Sequence, residues 1–175
     1  ILFVPDRCLG QNIAKEMGLK SCVVGDGSDP KIADIICYNG FCSVHQLFDV
    51  EDIAFYCAKY PDILIATHPE CKVEVCDASD FVGSTSQIIE YVNNLPLTQK
   101  VAIGTEYNMV KRLRQENTYV LSSTKPECPT MNETTLEDVY NTLLSIKEGR
   151  FENEISISEE TRIWAHAALN RMFEL

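Results

Sequence analysis

The sequence predicts an α/β protein made of three-layer α/β/α units with short, mostly parallel sheets, related to one another by pseudo-symmetry. Three observations support this fold class. Short apolar or β-branched runs alternate with helical patterns, as in βαβ units. The 45% hydrophobic content is enough for a core and argues against a disordered chain. A segment of the chain also repeats at an offset of 86 residues, about the size of a small domain.

Five strands and six helices are predicted in alternation along the chain. The strands are Ile1–Val4, Ser21–Val24, Ile63–Ala66, Val101–Ile103 and Thr118–Ser122. The helices are Gln11–Met17, Val50–Tyr60, Gln87–Asn93, Tyr107–Gln115, Leu136–Lys147 and Ser158–Phe173. Three helix starts carry capping residues, namely Asp49, Thr135 with Asp138 three positions on, and Ser158. The last helix is amphipathic, and its stripe is expected to pack in a core: Ile163, Trp164, Ala167 and Met172.

The repeat begins with a cysteine in both copies. Cys42-Ser-Val-His-Gln-Leu-Phe-Asp-Val-Glu-Asp-Ile aligns without a gap with Cys128-Pro-Thr-Met-Asn-Glu-Thr-Thr-Leu-Glu-Asp-Val. The segments upstream match more loosely, and the first copy is longer by 13 residues, which we place in the turn-forming stretch 25–30. Each unit is expected to run strand, helix, strand, cysteine loop, helix. We therefore predict a partial α/β domain over residues 1–60 and a further α/β domain with a C-terminal helix over residues 61–175.

The net charge of the chain narrows the possible binding partners. Fifteen Lys and Arg against 26 Asp and Glu give a formal net charge of −11. Such a surface repels phosphate backbones and anionic lipids, so we expect neither nucleic-acid nor membrane partners. A small anionic substrate remains compatible with this charge, because a pocket can be locally positive.

No apolar run approaches the roughly 18–20 residues of a membrane span. The start without Met or a signal pattern is interpreted as the cut edge of a longer protein.

Eight cysteines are unusually many for a chain of 175 residues. Without a secretory signal or any C-x-x-C motif, reduced thiols in a cytosolic protein are the expected state. Cys42 and Cys128 each follow a strand, at the sheet edge where doubly wound folds bind ligands. Two such thiolates could converge on the axis that relates the units and hold a soft metal, as iron–sulfur or zinc. Buried structural thiols left by a duplication are an equally good interpretation.

Two further segments carry candidate chemistry. Ala66-Thr-His-Pro-Glu-Cys71 places the imidazole of His68 and the carboxylate of Glu70 directly after a buried strand, where acid–base groups are useful. The alternative is an ordinary loop whose His binds a carbonyl and whose Glu is solvated. Phe81-Val-Gly-Ser-Thr-Ser86 leads into a helix whose free N–H groups suit a carboxylate or phosphate, although Ser and Thr cap many helices.

Taken together, an ordered set of motifs resembles quinolinate synthase across essentially the whole chain, and resembles only the C-terminal portion of that family. The motifs are Pro5-Asp-Arg…Leu-Gly10, Asn39-Gly-Phe-Cys-Ser-Val-His45, His68-Pro-Glu-Cys71, Val82-Gly-Ser-Thr85, Gly104-Thr-Glu106, Glu127-Cys128…Met131-Asn132 and Arg171-Met-Phe-Glu-Leu175. Some family members carry C-x-x-C-x-x-C at the last cysteine loop. Here Cys128-Pro-Thr-Met131 has a single cysteine, as in the simpler variety of the family.

The resemblance implies three related α/β domains around a pseudo-threefold axis, of which about two are present here. One cysteine from each domain would hold a [4Fe–4S] cluster, with Cys42 and Cys128 as two ligands and the third upstream of this chain. The implied reaction condenses iminoaspartate with dihydroxyacetone phosphate to quinolinate, in de novo NAD biosynthesis. Glu70 and His68 are implied as catalytic residues, and substrate binding is implied for the set His68, Pro69, Glu70, Ser84 and Thr85. His45, three residues after a cluster ligand, would lie beside the cluster.

The resemblance also implies a cytoplasmic enzyme with small-molecule substrates. L-aspartate oxidase would be its metabolic neighbour, since that enzyme supplies iminoaspartate. The fragment alone is expected to be inactive, because the opposite wall of the pocket is missing. The alternative is a non-enzymatic α/β module in which Cys42, Cys71 and Cys76 bind a structural zinc or nothing.

Overall fold

The computed structural model describes residues 1–113 and 116–174, and it has the predicted α/β class with two parallel sheets. The first sheet has the strand order β1–β3–β2, formed by Leu2–Phe3, Ile35–Cys37 and Ser21–Val23. The second has the order β5–β4–β6–β7, formed by Phe81–Val82, Leu64–Thr67, Val101–Gly104 and Thr118–Val120. All neighbouring strands run parallel. Their carboxyl ends therefore lie together at one edge of each sheet.

Helices follow most of the strands. They are α1 (Arg7–Glu16), α2 (Val50–Lys59), α3 (Val73–Asp77), α4 (Thr85–Asn94), α5 (Tyr107–Arg112), α6 (Leu136–Lys147) and α7 (Glu159–Phe173). Short 3₁₀ turns cover Pro30–Ile32, His45–Leu47 and Met131–Glu133. The side chains of Thr135 and Ser158 cap α6 and α7 as predicted. Asp49 occupies the N-cap position of α2, but its carboxylate pairs with Lys72 instead of capping the helix.

Helices pack against both faces of the second sheet. Ile65 packs in one core with Ile53 of α2 and Val75 of α3. Its neighbour Ala66 packs in another core with Ile88, which lies on α4. Because successive side chains of a strand point to opposite faces, helices cover both faces of this sheet. This is the predicted three-layer arrangement.

The predicted elements are confirmed with small shifts of their ends. All five predicted strands are present, and all six predicted helices are present, although α1 begins four residues earlier than expected, at Arg7, where Asp6 caps it. Helix α5 ends at Arg112; the last two residues of its predicted span, Arg114 and Gln115, lie outside the described residues. Three short elements were not predicted: β3, α3 and β5. Each has at most five residues, too few to show a periodic pattern.

The additional residues of the first repeat form more than a turn. They include strand β3, which lies between β1 and β2 and pairs with both. The neighbouring strands β1 and β3 of the first sheet therefore correspond to the neighbouring strands β6 and β7 of the second sheet. Strand β2 is an additional strand at the edge of the first sheet. After Cys42 and after Cys128 the local structure is the same: a turn, a three-residue 3₁₀ segment and a helix beginning eight positions after the cysteine. The cysteine repeat found in the sequence is thus also a structural repeat.

The chain divides into two compact units, Ile1–Pro129 and Thr130–Leu175. The first unit contains both sheets. The domain boundary expected at residue 60 lies in the connection from α2 to β4, after the last strand of the first sheet and before the first strand of the second. The division of the chain into one domain over residues 1–60 and another over residues 61–175 stays a prediction.

The second unit consists mainly of α6 and α7. The expected packing of the C-terminal stripe is not found within the described residues, since Trp164 is 69% exposed and Ile163 is 52% exposed. None of the described helices is both long and apolar enough to cross a membrane.

Candidate functional site

The segment His68–Glu70 forms a tight turn at the end of β4. The backbone N–H of His68 donates to the carbonyl of Gly104 on the neighbouring strand, at 3.1 Å. The N–H of Glu70 donates to Nδ1 of His68 at 3.3 Å, and the N–H of Cys71 donates to the His68 carbonyl at 2.9 Å. The turn is thereby held to β4 and β6, and His68 and Glu70 lie at the carboxyl edge of the second sheet.

His45, from the loop after β3, lies against this turn. Its ring stacks on the ring of His68, with centroids 4.6 Å apart and an interplanar angle of 10°. Nε2 of His45 lies 3.2 Å from the hydroxyl of Thr105, which follows β6. Nδ1 lies 3.0 Å from Oε2 of Glu70, although it makes no regular hydrogen bond. The two imidazoles and the carboxylate therefore form one contiguous polar group.

The protonation of this group follows from its surroundings. The polar contact with His45 lowers the pKa of Glu70, outweighing the opposite effect of partial burial. Burial lowers the pKa of His68, with a further contribution from the neighbouring His45. Glu70 is therefore a carboxylate and His68 a neutral imidazole at neutral pH, and both can accept a proton.

Cys42 joins the same group from the other side. Its backbone N–H donates to Oδ2 of Asp6 at 2.8 Å, and the other oxygen of Asp6 accepts the N–H of Leu9 at the start of α1. Asp6 is only 3% exposed, so this carboxylate joins the cysteine loop firmly to the helix. The ligand atoms of Cys42, His45 and Glu70 all lie within 4.8 Å of one another, an arrangement that could hold a metal ion.

Sequence reasoning assigned no role to three residues that build this site. Asn12 on α1 donates to the carbonyls of Pro69 and Cys71 at 2.8 and 3.0 Å, so it links the first sheet's helix to the His68–Glu70 turn. Asp6 and Thr105 are both 3% exposed and hold Cys42 and His45. Buried polar side chains at strand ends are the signal that could have identified Asp6 and Thr105. No sequence pattern distinguishes Asn12 from a solvated helix residue.

Ser84 and Thr85 lie at the end of β5, next to the His68 turn. The N–H of Gly83 donates to the carbonyl of Thr67, the residue that precedes His68. Ser84 caps α4 in a reciprocal arrangement with Gln87. The start of α4 therefore lies at the same sheet edge as His68 and Glu70.

Cys128 lies in the loop after β7, at the edge of the second sheet, and is not part of the group formed by Cys42, His45 and Glu70 among the described residues. Accessibility nevertheless separates the two predicted metal ligands from the other cysteines. Cys42 and Cys128 are partly buried, Cys57 is exposed, and the remaining five are buried. The thiols of Cys42 and Cys128 are therefore neither enclosed in the core nor fully solvated.

The alternative donor set is not assembled among the described residues. Cys71 directs its thiol to the carbonyl of Gly104 at 3.4 Å, and Cys76 directs its thiol to backbone carbonyls of the same turn. Burial raises the pKa of both thiols, that of Cys76 to about 11, which disfavours the thiolate that a metal requires.

The fold and the site together define an α/β protein with a thiol–imidazole–carboxylate group at the carboxyl ends of parallel strands, the usual place for ligands in such sheets. The sequence model of the family described as "Quinolinate synthetase A protein" matches residues 1–174. The chain belongs to this family.

Curated relatives agree with this assignment. A quinolinate synthase of Helicobacter pylori (strain HPAG1) is 55% identical over 181 residues, covering 100% of this chain and 54% of the relative. A quinolinate synthase of Streptomyces coelicolor is 37% identical, covering 100% of this chain and 49% of the relative. One of Bacillus cereus (strain B4264) is also 37% identical, with 99% and 51% covered. The chain spans about half the length of the curated relatives it matches.

Proposed function

We propose that this chain is part of a quinolinate synthase, a cytoplasmic enzyme that condenses iminoaspartate with dihydroxyacetone phosphate to quinolinate in NAD biosynthesis. The observation that carries the proposal is the identity of 55% with a named quinolinate synthase over the full length of this chain, together with the assembly of His45, His68 and Glu70 at one sheet edge. L-aspartate oxidase would supply the iminoaspartate.

A [4Fe–4S] cluster would be held by Cys42 and Cys128, with a third thiolate from outside this chain. The donor chemistry supports this assignment, because these two thiols are the partly buried ones and occupy equivalent loops of the structural repeat. When bound, such a cluster with one open iron supplies a Lewis acid for a substrate oxygen.

The acid–base work would be done by Glu70. Its lowered pKa keeps it ionised before substrate binds, so it first accepts a proton at a carboxylate oxygen and later returns it. The neutral His68 ring, fixed by stacking on His45, would orient substrate beside that oxygen. Pro69 holds the turn between the two residues.

Substrate carboxylate or phosphate would bind at the start of α4. Ser84 and Thr85 stand there at the end of β5, and the unpaired N–H groups of the first helical turn favour an anion. This local preference operates despite the acidic surface of the protein as a whole.

The test uses the whole protein, purified without oxygen. Glu70→Gln is expected to keep iron and sulfide content and the brown colour, while the rate of quinolinate formation falls by roughly 10²–10⁴-fold, the usual contribution of an acid–base group. Glu74→Gln removes an exposed carboxylate on α3 nearby and should leave both unchanged. Near-normal turnover in Glu70→Gln would remove Glu70 from the chemistry.

The cluster ligand is tested separately. Cys128→Ser should lose iron and sulfide, whereas Cys57→Ser, which changes an exposed thiol on α2, should retain them. A wild-type protein that stays colourless and takes up no iron and sulfide after its zinc has been removed would instead favour the non-enzymatic alternative.

A further inference from the structure

The three donors Cys42, His45 and Glu70 form a set that differs in composition from a cluster site. They offer one sulfur, one nitrogen and one oxygen, and no two of the ligand atoms are more than 4.8 Å apart. Cys42 and His45 lie in the loop after β3 of the first sheet, and Glu70 lies in the turn after β4 of the second. His45 is 7% exposed. Their side chains already face one another in a partly water-excluded place.

The nitrogen of this set lacks a satisfactory partner. Nε2 of His45 is engaged by the Thr105 hydroxyl, which leaves Nδ1 as the free ring nitrogen. Nδ1 is buried and has no regular hydrogen bond, although the Glu70 carboxylate lies 3.0 Å away. A buried ring nitrogen without a regular hydrogen bond, this close to a carboxylate oxygen, is satisfied when a proton or a cation lies between the two atoms.

We propose that Cys42, His45 and Glu70 form a binding site for a single divalent ion of the zinc type. Sulfur, imidazole nitrogen and carboxylate oxygen are the three donor types that zinc accepts, and three protein ligands leave a fourth position for water. Ligand bonds of about 2.0–2.3 Å place tetrahedral donors roughly 3.3–3.6 Å apart. The three ligand atoms, all within 4.8 Å of one another, lie close to this spacing.

The surroundings favour such an ion. A thiolate, a carboxylate and a neutral imidazole together neutralise a divalent cation, and Cys42 releases one proton to solvent when the ion binds. The hydrogen bond of Nε2 to Thr105 orients the ring so that Nδ1 faces the ion, as outer partners of metal-binding histidines do. The net charge of −11 further attracts cations to the protein.

The consequence for the enzyme rests on the proposed function. A zinc-type ion at this site takes the Cys42 thiolate that the cluster would require, so the two cannot be bound at once. Zinc is therefore expected to block cluster assembly by occupying Cys42, the ligand that both metals require. It would also bind the carboxylate of Glu70, the proposed acid–base group.

The experiment titrates cobalt(II), a spectroscopic substitute for zinc, into the whole protein freed of its cluster and kept under nitrogen. Binding is measured by the thiolate-to-cobalt charge-transfer absorption, and zinc is then added to displace it. Wild type and Cys57→Ser should both bind one ion. Folding of each variant is checked by circular dichroism.

The variants separate this site from adventitious binding at the cluster cysteines. His45→Asn and Glu70→Gln should each weaken cobalt binding at least about tenfold, and Cys42→Ser should abolish the absorption, while Cys128→Ser retains it. Two independent ligand variants keep the test decisive even if one of them folds poorly. Loss of the absorption in Cys128→Ser with retention in His45→Asn and Glu70→Gln would overturn the proposal, as would failure of the wild type to bind cobalt. Neither result bears on iron content or turnover, so the proposed function fails or stands separately.

Discussion

Single buried polar residues decide where the reactive groups of this protein stand. Asp6 is the clearest case, because its two oxygens serve two different parts of the site. One oxygen accepts the N–H of Leu9 and caps α1, and the other accepts the N–H of Cys42. A carboxylate provides two acceptors in a fixed fork, and no neutral side chain of the same size does so.

Asp6→Asn is therefore expected to destabilise the protein although it is isosteric. Asparagine has one acceptor oxygen, so the N–H of either Leu9 or Cys42 loses its partner in a place that is only 3% exposed. We expect a loss of about 1–3 kcal/mol in the free energy of unfolding, the cost of a buried unsatisfied donor, measured by urea denaturation. The iron content of the whole protein should fall with it, since the Cys42 loop loses its support.

Asp26→Asn is the matched control for this substitution. Asp26 also accepts two backbone N–H groups, from Val23 and Ser28, but its side chain is exposed. Water can replace the lost acceptor there, so the loss of stability should be smaller. Equal effects of the two substitutions would contradict the role assigned to burial.

The buried thiols should react slowly for the same physical reason. Burial disfavours the thiolate and raises the pKa of Cys76 to about 11, so the reactive form is scarce at neutral pH. Iodoacetamide should label the exposed Cys57 in the native chain long before Cys71 or Cys76. Mass spectrometry of the peptides measures this order, and denaturant should remove the difference. Rapid labelling of Cys71 in the folded chain would contradict the packing of the turn.

At the scale of secondary-structure elements, α1 connects the two sheets. It packs on β3 of its own sheet through Gly10, and its Asn12 and Lys15 reach the second sheet's turn and α3. A side chain on Gly10 would come within 2.5 Å of Sγ of Cys37 and 2.8 Å of Cδ1 of Phe3. The close approach of helix and sheet at this point thus requires glycine.

Gly10→Ala tests this contact. The added methyl should destabilise the protein by about 1–3 kcal/mol through overpacking, despite the better helix propensity of alanine. Adding Cys37→Ala should restore part of the loss, because it removes the nearest clashing atom. Glu16→Ala, at an exposed position of the same helix, should have little effect on the urea midpoint. A Gly10→Ala variant as stable as wild type would show that α1 can move away from the sheet.

At the scale of the whole molecule, the two units differ in how much apolar surface they enclose. The first unit has three buried clusters that cover the faces of its sheets. In the second unit, α7 has no buried residue among those described, and α6 has one, Ser145. Helices with this exposure lack the burial of apolar surface that normally stabilises helices in proteins.

Trp164 reports on this exposure directly, since it is the only tryptophan of the chain. At 69% exposure its fluorescence should resemble that of an indole in water, with efficient quenching by acrylamide and little red shift on unfolding in guanidinium. Acrylamide is chosen because it is uncharged, whereas iodide is repelled by an acidic protein. A blue-shifted emission that moves to the red on unfolding would show that α7 is covered in solution.

Much of the candidate site could be anticipated from sequence. His68 and Glu70 follow a strand that an apolar run predicts, Ser84 precedes a predicted helix, and the cysteine repeat singles out Cys42 and Cys128. The remaining parts could not be anticipated. The stacking of His45 on His68, and the contacts of Asn12 with Pro69, join residues 23 and 57 positions apart, and no local pattern encodes such distances.

The alternation of strands and helices, the repeat and the chemically reactive residue types can be read from the amino-acid sequence, because hydrophobic periodicity and motif order are properties of neighbouring residues. Tertiary structure alone decided that β3 lies between β1 and β2, that Asp6 supports Cys42, and that Nδ1 of His45 faces Glu70. It also decided that the apolar stripe of α7 is exposed. These features depend on the order of strands in a sheet and on what covers a helix face, which are set by the packing of distant segments.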